Sequence, residues 1–225
     1  MAEALFDDLE YRQAPPMQLP PPLIPTLEVA VERILDVYSR ATEDHIREGT
    51  KWYDDAHAIA VDMWVRYPKK LNSVAHAAGI LAAFSPIESW ERNIEKAWMF
   101  LDTGDCGALS RSKDEALLIT YGFDPLDILF RGGRNFKVQS FYRNIADPTD
   151  PNPVTVDRHA KAIVYDDSSI VYKRPGAPTQ VEYEHYAEAY RKAAKEVDKV
   201  PSQLQAVTWL AWRENFRPRD VQLPF

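Results

Sequence analysis

Cysteine is almost absent from this 225-residue chain: Cys106 stands alone. A single thiol excludes an intramolecular disulfide and any four-cysteine zinc or iron–sulfur centre, and it points to a reducing, cytoplasmic setting. Long apolar runs are missing too. No stretch approaches the roughly 20 residues that a membrane span needs. The opening MAEALFDDLEYR is acidic, unlike a signal peptide. Positive charge is in short supply, with 27 Lys+Arg against 34 Asp+Glu and a net charge of −7. That balance argues against a protein that coats nucleic acid non-specifically, because neutralising phosphate needs clustered lysine and arginine. It leaves room for a local basic face: Arg131, Arg134, Lys137 and Arg143 fall within 13 residues with no acid among them. A solvated helix face is the plain alternative for such a run. The chain also lacks any internal repeat and any run with strand alternation.

What is present is apolar content at 45% with 27% charged residues, enough for a sizeable core. Residues 1–25 hold Pro15, Pro16, Pro20, Pro21, Pro22 and Pro25, so this segment reads as an extended arm. From Thr26, residues Leu27, Ala30, Val31, Ile34, Leu35 and Tyr38 keep helical spacing, with Thr26 as cap and Gly49 as the expected stop. Further helices are expected from Trp52 to Tyr67, Leu71 to Phe84, Ser89 to Gly104, Ser112 to Thr120, Asn135 to Ile145, Val156 to Tyr165 and Gln180 to Val197. A last one starts at Pro201 and ends near Asn215. The stretch VAHAAGILAAF is apolar nearly all round and is expected to be the central buried helix. The expected fold is an all-α multi-helix bundle over residues 26–225, in one unit or two lobes.

Two places combine helix starts with chemistry. PNPVTVDRHAKAIVY sets Asp157 at the mouth of a helix, where free N–H groups and the helix dipole stabilise a carboxylate; its plain reading is an N-cap, with Thr155 the alternative cap. Twenty residues upstream, Lys137 follows Gly132-Gly133 at the start of the preceding helix. Two glycines there let backbone amides approach a phosphate, although a tight turn needs them equally.

The order GILAAFSPIESWERNIEKA, then GGRNFKVQSFYRNI, then VTVDRHA resembles the helix-hairpin-helix DNA glycosylase superfamily, and within it the endonuclease III branch. Those enzymes have a buried apolar helix ending in a loop that enters DNA, a glycine hairpin with a nearby lysine, and V-D-x-H opening a later helix. The resemblance covers roughly residues 70–165. Where the family hairpin reads L-P-G-V-G, this chain reads Leu129-Phe130-Arg131-Gly132-Gly133, and the branch's iron–sulfur cysteines are absent.

The resemblance implies that Asp157 stabilises charge developing on the sugar as a base leaves, and that Lys137 occupies the place of a Schiff-base lysine. A lysine beside other cations is a feasible nucleophile. Arg131, Gly132, Gly133 and Arg134 would hold phosphate. Ser85, Trp90 and Asn93 would lie at the loop probing the base stack, with Trp90 able to stack on a base. The implied partner is double-stranded DNA with one nucleotide flipped out, in a bacterial or phage-infected cell, with no cofactor, metal, membrane or iron–sulfur cluster. The same fold also fits a phage hypermodification enzyme that joins an amine to an activated hydroxymethylpyrimidine, with a cationic hairpin holding the pyrophosphate leaving group. A non-catalytic helical module binding DNA or protein is the third reading.

Other residues read more plainly. His159, two places after Asp157, is expected to turn away from it on the helix and serve structure. His76 suits a satisfied core histidine. Asp54 and His57 share a helical face without an evident third metal ligand. On the last helix Trp209 and Trp212 broaden an apolar face, while Gln203, Gln205 and Arg213 are candidates to line a pocket.

Overall fold

A computed structural model describes residues 23–86, 88–130 and 135–215. Among them are eleven α-helices and no strand: α1 Leu27–Ser39, α2 Glu43–Arg66, α3 Val74–Phe84, α4 Trp90–Thr103, α5 Ser110–Thr120, α6 Pro125–Phe130, α7 Phe136–Ala146, α8 Arg158–Tyr165, α9 Ile170–Lys173, α10 Gln180–Glu196 and α11 Pro201–Asn215. The chain is all-α, and no described helix is long and apolar enough to cross a membrane. Most of the arm expected over residues 1–25, and the glycine turn at Gly132-Gly133, lie outside the described residues.

Local chemistry accounts for the helix ends. The Thr26 and Ser89 hydroxyls accept from the amides of Val29 and Arg92, and Thr179 forms a reciprocal capping box with Glu182. Gly104 closes α4 in the left-handed region at φ 82°, which costs a glycine nothing. One sequence expectation fails at Gly49. It does not end a helix: Thr42 caps α2 in a box with His45, and the helix runs through Gly49, which is buried. A missing side chain there serves packing rather than termination. The short α9 carries no apolar periodicity and went unforeseen.

Two apolar clusters divide the helices. One gathers α2 to α7 around α3, whose residues Ala77 to Phe84 are all buried. Ile80, Leu81 and Phe84 are each fully or almost fully removed from water, worth about 1.5–3 kcal/mol apiece. The other combines α1 with α8 to α11, so the second lobe is built from both ends of the described chain. Helix α11 belongs to both: Ala206 faces the first cluster, whereas Leu204, Ala211 and Trp212 face the second. Its main partner is α2, and that pair forms the junction between the lobes.

Candidate active site

The approach to α8 is clamped from three sides. Arg143 pairs with Asp150 at 2.9 Å, and Arg191 Nε donates to the Asn152 carbonyl at 2.8 Å. Beyond that point the buried Tyr183 hydroxyl donates to the Val154 carbonyl at 2.8 Å and accepts from the Val156 amide at 3.1 Å. Val154 and Val156 pack into the second cluster. Thr155 enters a polar network instead: its hydroxyl oxygen accepts from Tyr53 Oη at 2.9 Å and from Asn144 Nδ2 at 3.0 Å. Gln205 Oε1 lies 3.3 Å from the same Tyr53 hydroxyl. Helices α2 and α7 thus meet at one buried threonine, and α11 joins them through Tyr53. Burial pushes the Tyr53 phenol above its ordinary range and that of Tyr183 up to about 12, with the charge of Asp157 adding to both. These phenols stay protonated and act as fixed donors.

On this platform stands Asp157. Its backbone is extended, at φ −93° and ψ −172°, and its Oδ1 accepts from the amides of His159 at 2.9 Å and Ala160 at 2.8 Å. Oδ2 accepts from the indole Nε1 of Trp209 on α11 at 3.1 Å. The cap reading is therefore right as far as it goes, but a cap needs only the two amides. The third donor comes from a helix 52 residues away.

Trp209 gathers further groups. The His159 ring stands edge-on to it at 6.2 Å, and the Arg213 guanidinium lies over its face, 4.2 Å from the ring centre. His159 does not turn away from Asp157 as the sequence suggested, because both lie against the same indole. Burial holds the His159 imidazole below its ordinary pKa, opposed by the charge of Asp157 and reinforced by Arg158, Arg213 and Lys137. Those three cations come from α8, α11 and α7, so positive charge converges on the His159 imidazole beside that carboxylate.

The remaining expected site residues are placed differently. Lys137 is the second residue of α7, half-buried, with its charge reaching His159. Asn93 is only 2% exposed and its amide donates to the Leu81 carbonyl at 3.0 Å, so it ties α4 to α3 instead of facing a ligand. Trp90, half-buried, opens α4 with its ring 5.0 Å from that of Trp52 and 6.0 Å from Phe141, so it packs against the first cluster. Ser85 turns its hydroxyl back to the Ala82 carbonyl at 2.9 Å. Arg131, Gly132, Gly133 and Arg134 lie outside the described residues. His57 is 2.8 Å from the Ile145 carbonyl, a helix-to-helix contact. His76 meets the Ser73 hydroxyl at 3.0 Å.

A separate cavity of about 410 Å³ opens between α6, α7 and α10, walled by Phe130, Phe136, Tyr183, Arg143 and Arg191. Asp157 does not line it. Its two cations are already paired, Arg143 with Asp150 and Arg191 with Glu184 at 2.6 Å and Glu188 at 3.1 Å. Asp157 and its surroundings are therefore the better placed for chemistry on a charged substrate.

Among known families, one described as a family of unknown function, DUF7178, matches residues 24–216. No curated protein and no solved structure matches the chain.

Proposed function

We propose that this chain, which belongs to the DUF7178 family, is a DNA N-glycosylase that removes an altered or unusual base from a flipped-out nucleotide. The observation that carries this reading is the Asp157 carboxylate. It is held by two helix amides and an indole N–H at the junction of two lobes, with the charges of Lys137, Arg158 and Arg213 converging on its surroundings. The loop that ends in Asp157 is tied down by α2, α7, α8 and α11, so the carboxylate at the mouth of α8 is held by a rigid scaffold.

The chemistry follows from the charges. As the bond between C1′ and the base nitrogen lengthens, the base leaves with the bonding pair and positive charge develops on the sugar. A fixed carboxylate facing that sugar stabilises the charge without reorganising during the reaction. Water then attacks C1′, giving up a proton to Asp157. In the bifunctional form the Lys137 amine attacks instead, loses a proton, and opens the sugar to an imine. Extruding the base costs a few kcal/mol, least for a damaged or mismatched pair, which is itself a source of selectivity.

Borohydride trapping on duplexes carrying a panel of modified bases tests this. The expected result is base release that Asp157→Asn abolishes, with a covalent adduct lost in Lys137→Ala. Duplex binding without base release from any substrate would overturn the glycosylase assignment.

A further inference from the structure

Trp209 holds two different groups at once. Its edge carries the indole N–H that holds the Asp157 carboxylate at 3.1 Å. Its face carries the Arg213 guanidinium at 4.2 Å. Carboxylate and guanidinium do not pair with each other, and among the described residues Arg213 makes no ion pair at all. Glu91 at the start of α4 feels the Arg213 charge only weakly: its carboxyl is held low mainly by its own backbone amide and by Ser89, with Arg213 the smallest influence. A guanidinium stacked on an indole has its plane fixed while its N–H fork stays open, and that fork matches the oxygens of a phosphoryl group. Arg213 itself is exposed, Trp209 is half-buried, and Arg158 Nε stands 3.3 Å from Nε2 of His159, whose ring meets the same indole.

We propose that Arg213, shelved on Trp209, is a phosphate subsite that grips the phosphodiester beside the reacting nucleotide and so sets its sugar against Asp157. The subsite rests on the glycosylase reading for its substrate, since a strand of DNA supplies a phosphate next to every sugar. One side chain then positions both partners of the reaction: Trp209 orients Asp157 through its N–H and Arg213 through its ring. The arrangement also explains how an acidic protein engages a polyanion. A few cations gathered at the reacting nucleotide replace a broad basic surface, so binding is expected to have a shallow dependence on salt. The same phosphoryl chemistry could instead come from free pyrophosphate, and the two sources are separable.

The test uses the full chain with two probes: a duplex bearing a tetrahydrofuran abasic analogue, and inorganic pyrophosphate. The Trp209 indole N–H resonance is identified by its loss in Trp209→Phe, and each probe is titrated against it. Duplex affinity is measured in parallel across salt concentration. The expected result is that the duplex shifts the Trp209 resonance and that Arg213→Gln lowers the slope of log K against log salt by about 0.9, one phosphate contact. Trp209→Phe, which keeps a ring beneath Arg213, leaves that slope unchanged. An unaltered slope in Arg213→Gln, with base release intact, would overturn the subsite while leaving the glycosylase standing. A Trp209 shift with pyrophosphate alone, and none with the duplex, would keep the anion site but overturn the DNA strand as its source and the glycosylase with it.

Discussion

A Cβ built on Gly49 would stand 2.5 Å from both the backbone nitrogen and the Cα of Val207. Helices α2 and α11 therefore touch backbone to backbone, and through α11 this contact sets the positions of Gln205 and Trp209. Alanine at Gly49 would gain about 1 kcal/mol in helix propensity. It would also force the helices apart, at a cost of about 1–3 kcal/mol for overpacking alone. Because the clash is with backbone that cannot step aside, Gly49→Ala is expected to lower the urea midpoint and to reduce activity. An unchanged midpoint would show that the two helices are not in such close contact.

Thr155 carries the network under the site. It is 5% exposed and its oxygen accepts from Tyr53 and from Asn144, which is wholly buried. Thr155→Val keeps the shape and removes the acceptor, leaving the buried Asn144 amide without it and Tyr53 with only the longer bond to Gln205. Each such loss costs about 1–3 kcal/mol. The combined destabilisation is expected near 2–4 kcal/mol by urea unfolding, against about 1 kcal/mol or less for Thr149→Val in the exposed loop before it. Equal effects at the two positions would contradict a structural role for the buried hydroxyl.

Asp157 can be tested as a cap and as a reacting group separately. Asp157→Ala deletes the acceptor for the His159 and Ala160 amides and is expected to cost about 0.5–2 kcal/mol, as cap removal does. Asp157→Asn keeps an oxygen for those amides, and so the cap, but turns its NH2 toward the Trp209 N–H and loses the third hydrogen bond. Under the glycosylase reading both variants lose base release by about a thousandfold or more, so activity fails to track stability. If asparagine retained near-native turnover, the residue would be a cap and nothing else.

The helices that were legible in the sequence are those with local signals at both ends. Ser89 and Gly104 bracket α4, Thr179 and Glu182 start α10, and Pro201 starts α11. Gly49 misled because glycine has two uses, ending a helix or letting another helix come close, and only the distant Val207 tells them apart. The site divides the same way. The cap role of Asp157 is legible because its geometry is local, spanning three residues. Trp209 was not, since an indole on an apolar helix face reads as core until its partner 52 residues upstream is in view. Asn93 and Trp90 share a surface-like pattern with ligand-binding residues, yet Asn93 is buried and Trp90 half-buried once α4 packs on the first cluster.

His159 makes the charge around Asp157 measurable. Burial lowers its pKa, the cations Arg158, Arg213 and Lys137 lower it further, and Asp157 opposes them. In the unfolded chain the imidazole titrates near its ordinary 6.5, so below that pH the unfolded state takes a proton that the folded state refuses. Stability is then full above the unfolded pKa and falls as pH drops through the window beneath it, at no more than about 1.4 kcal/mol per pH unit for one proton. His159→Asn is expected to flatten this fall between pH 7 and 5 while leaving stability at pH 8 little changed. The imidazole resonance tests the neighbours in turn. Arg213→Gln removes a cation and is expected to raise the His159 pKa, Lys137→Ala to raise it as well, and Asp157→Asn to lower it. A His159 titration indifferent to Lys137 would remove the lysine from the neighbourhood of Asp157 and with it the bifunctional mechanism, leaving water as the only nucleophile.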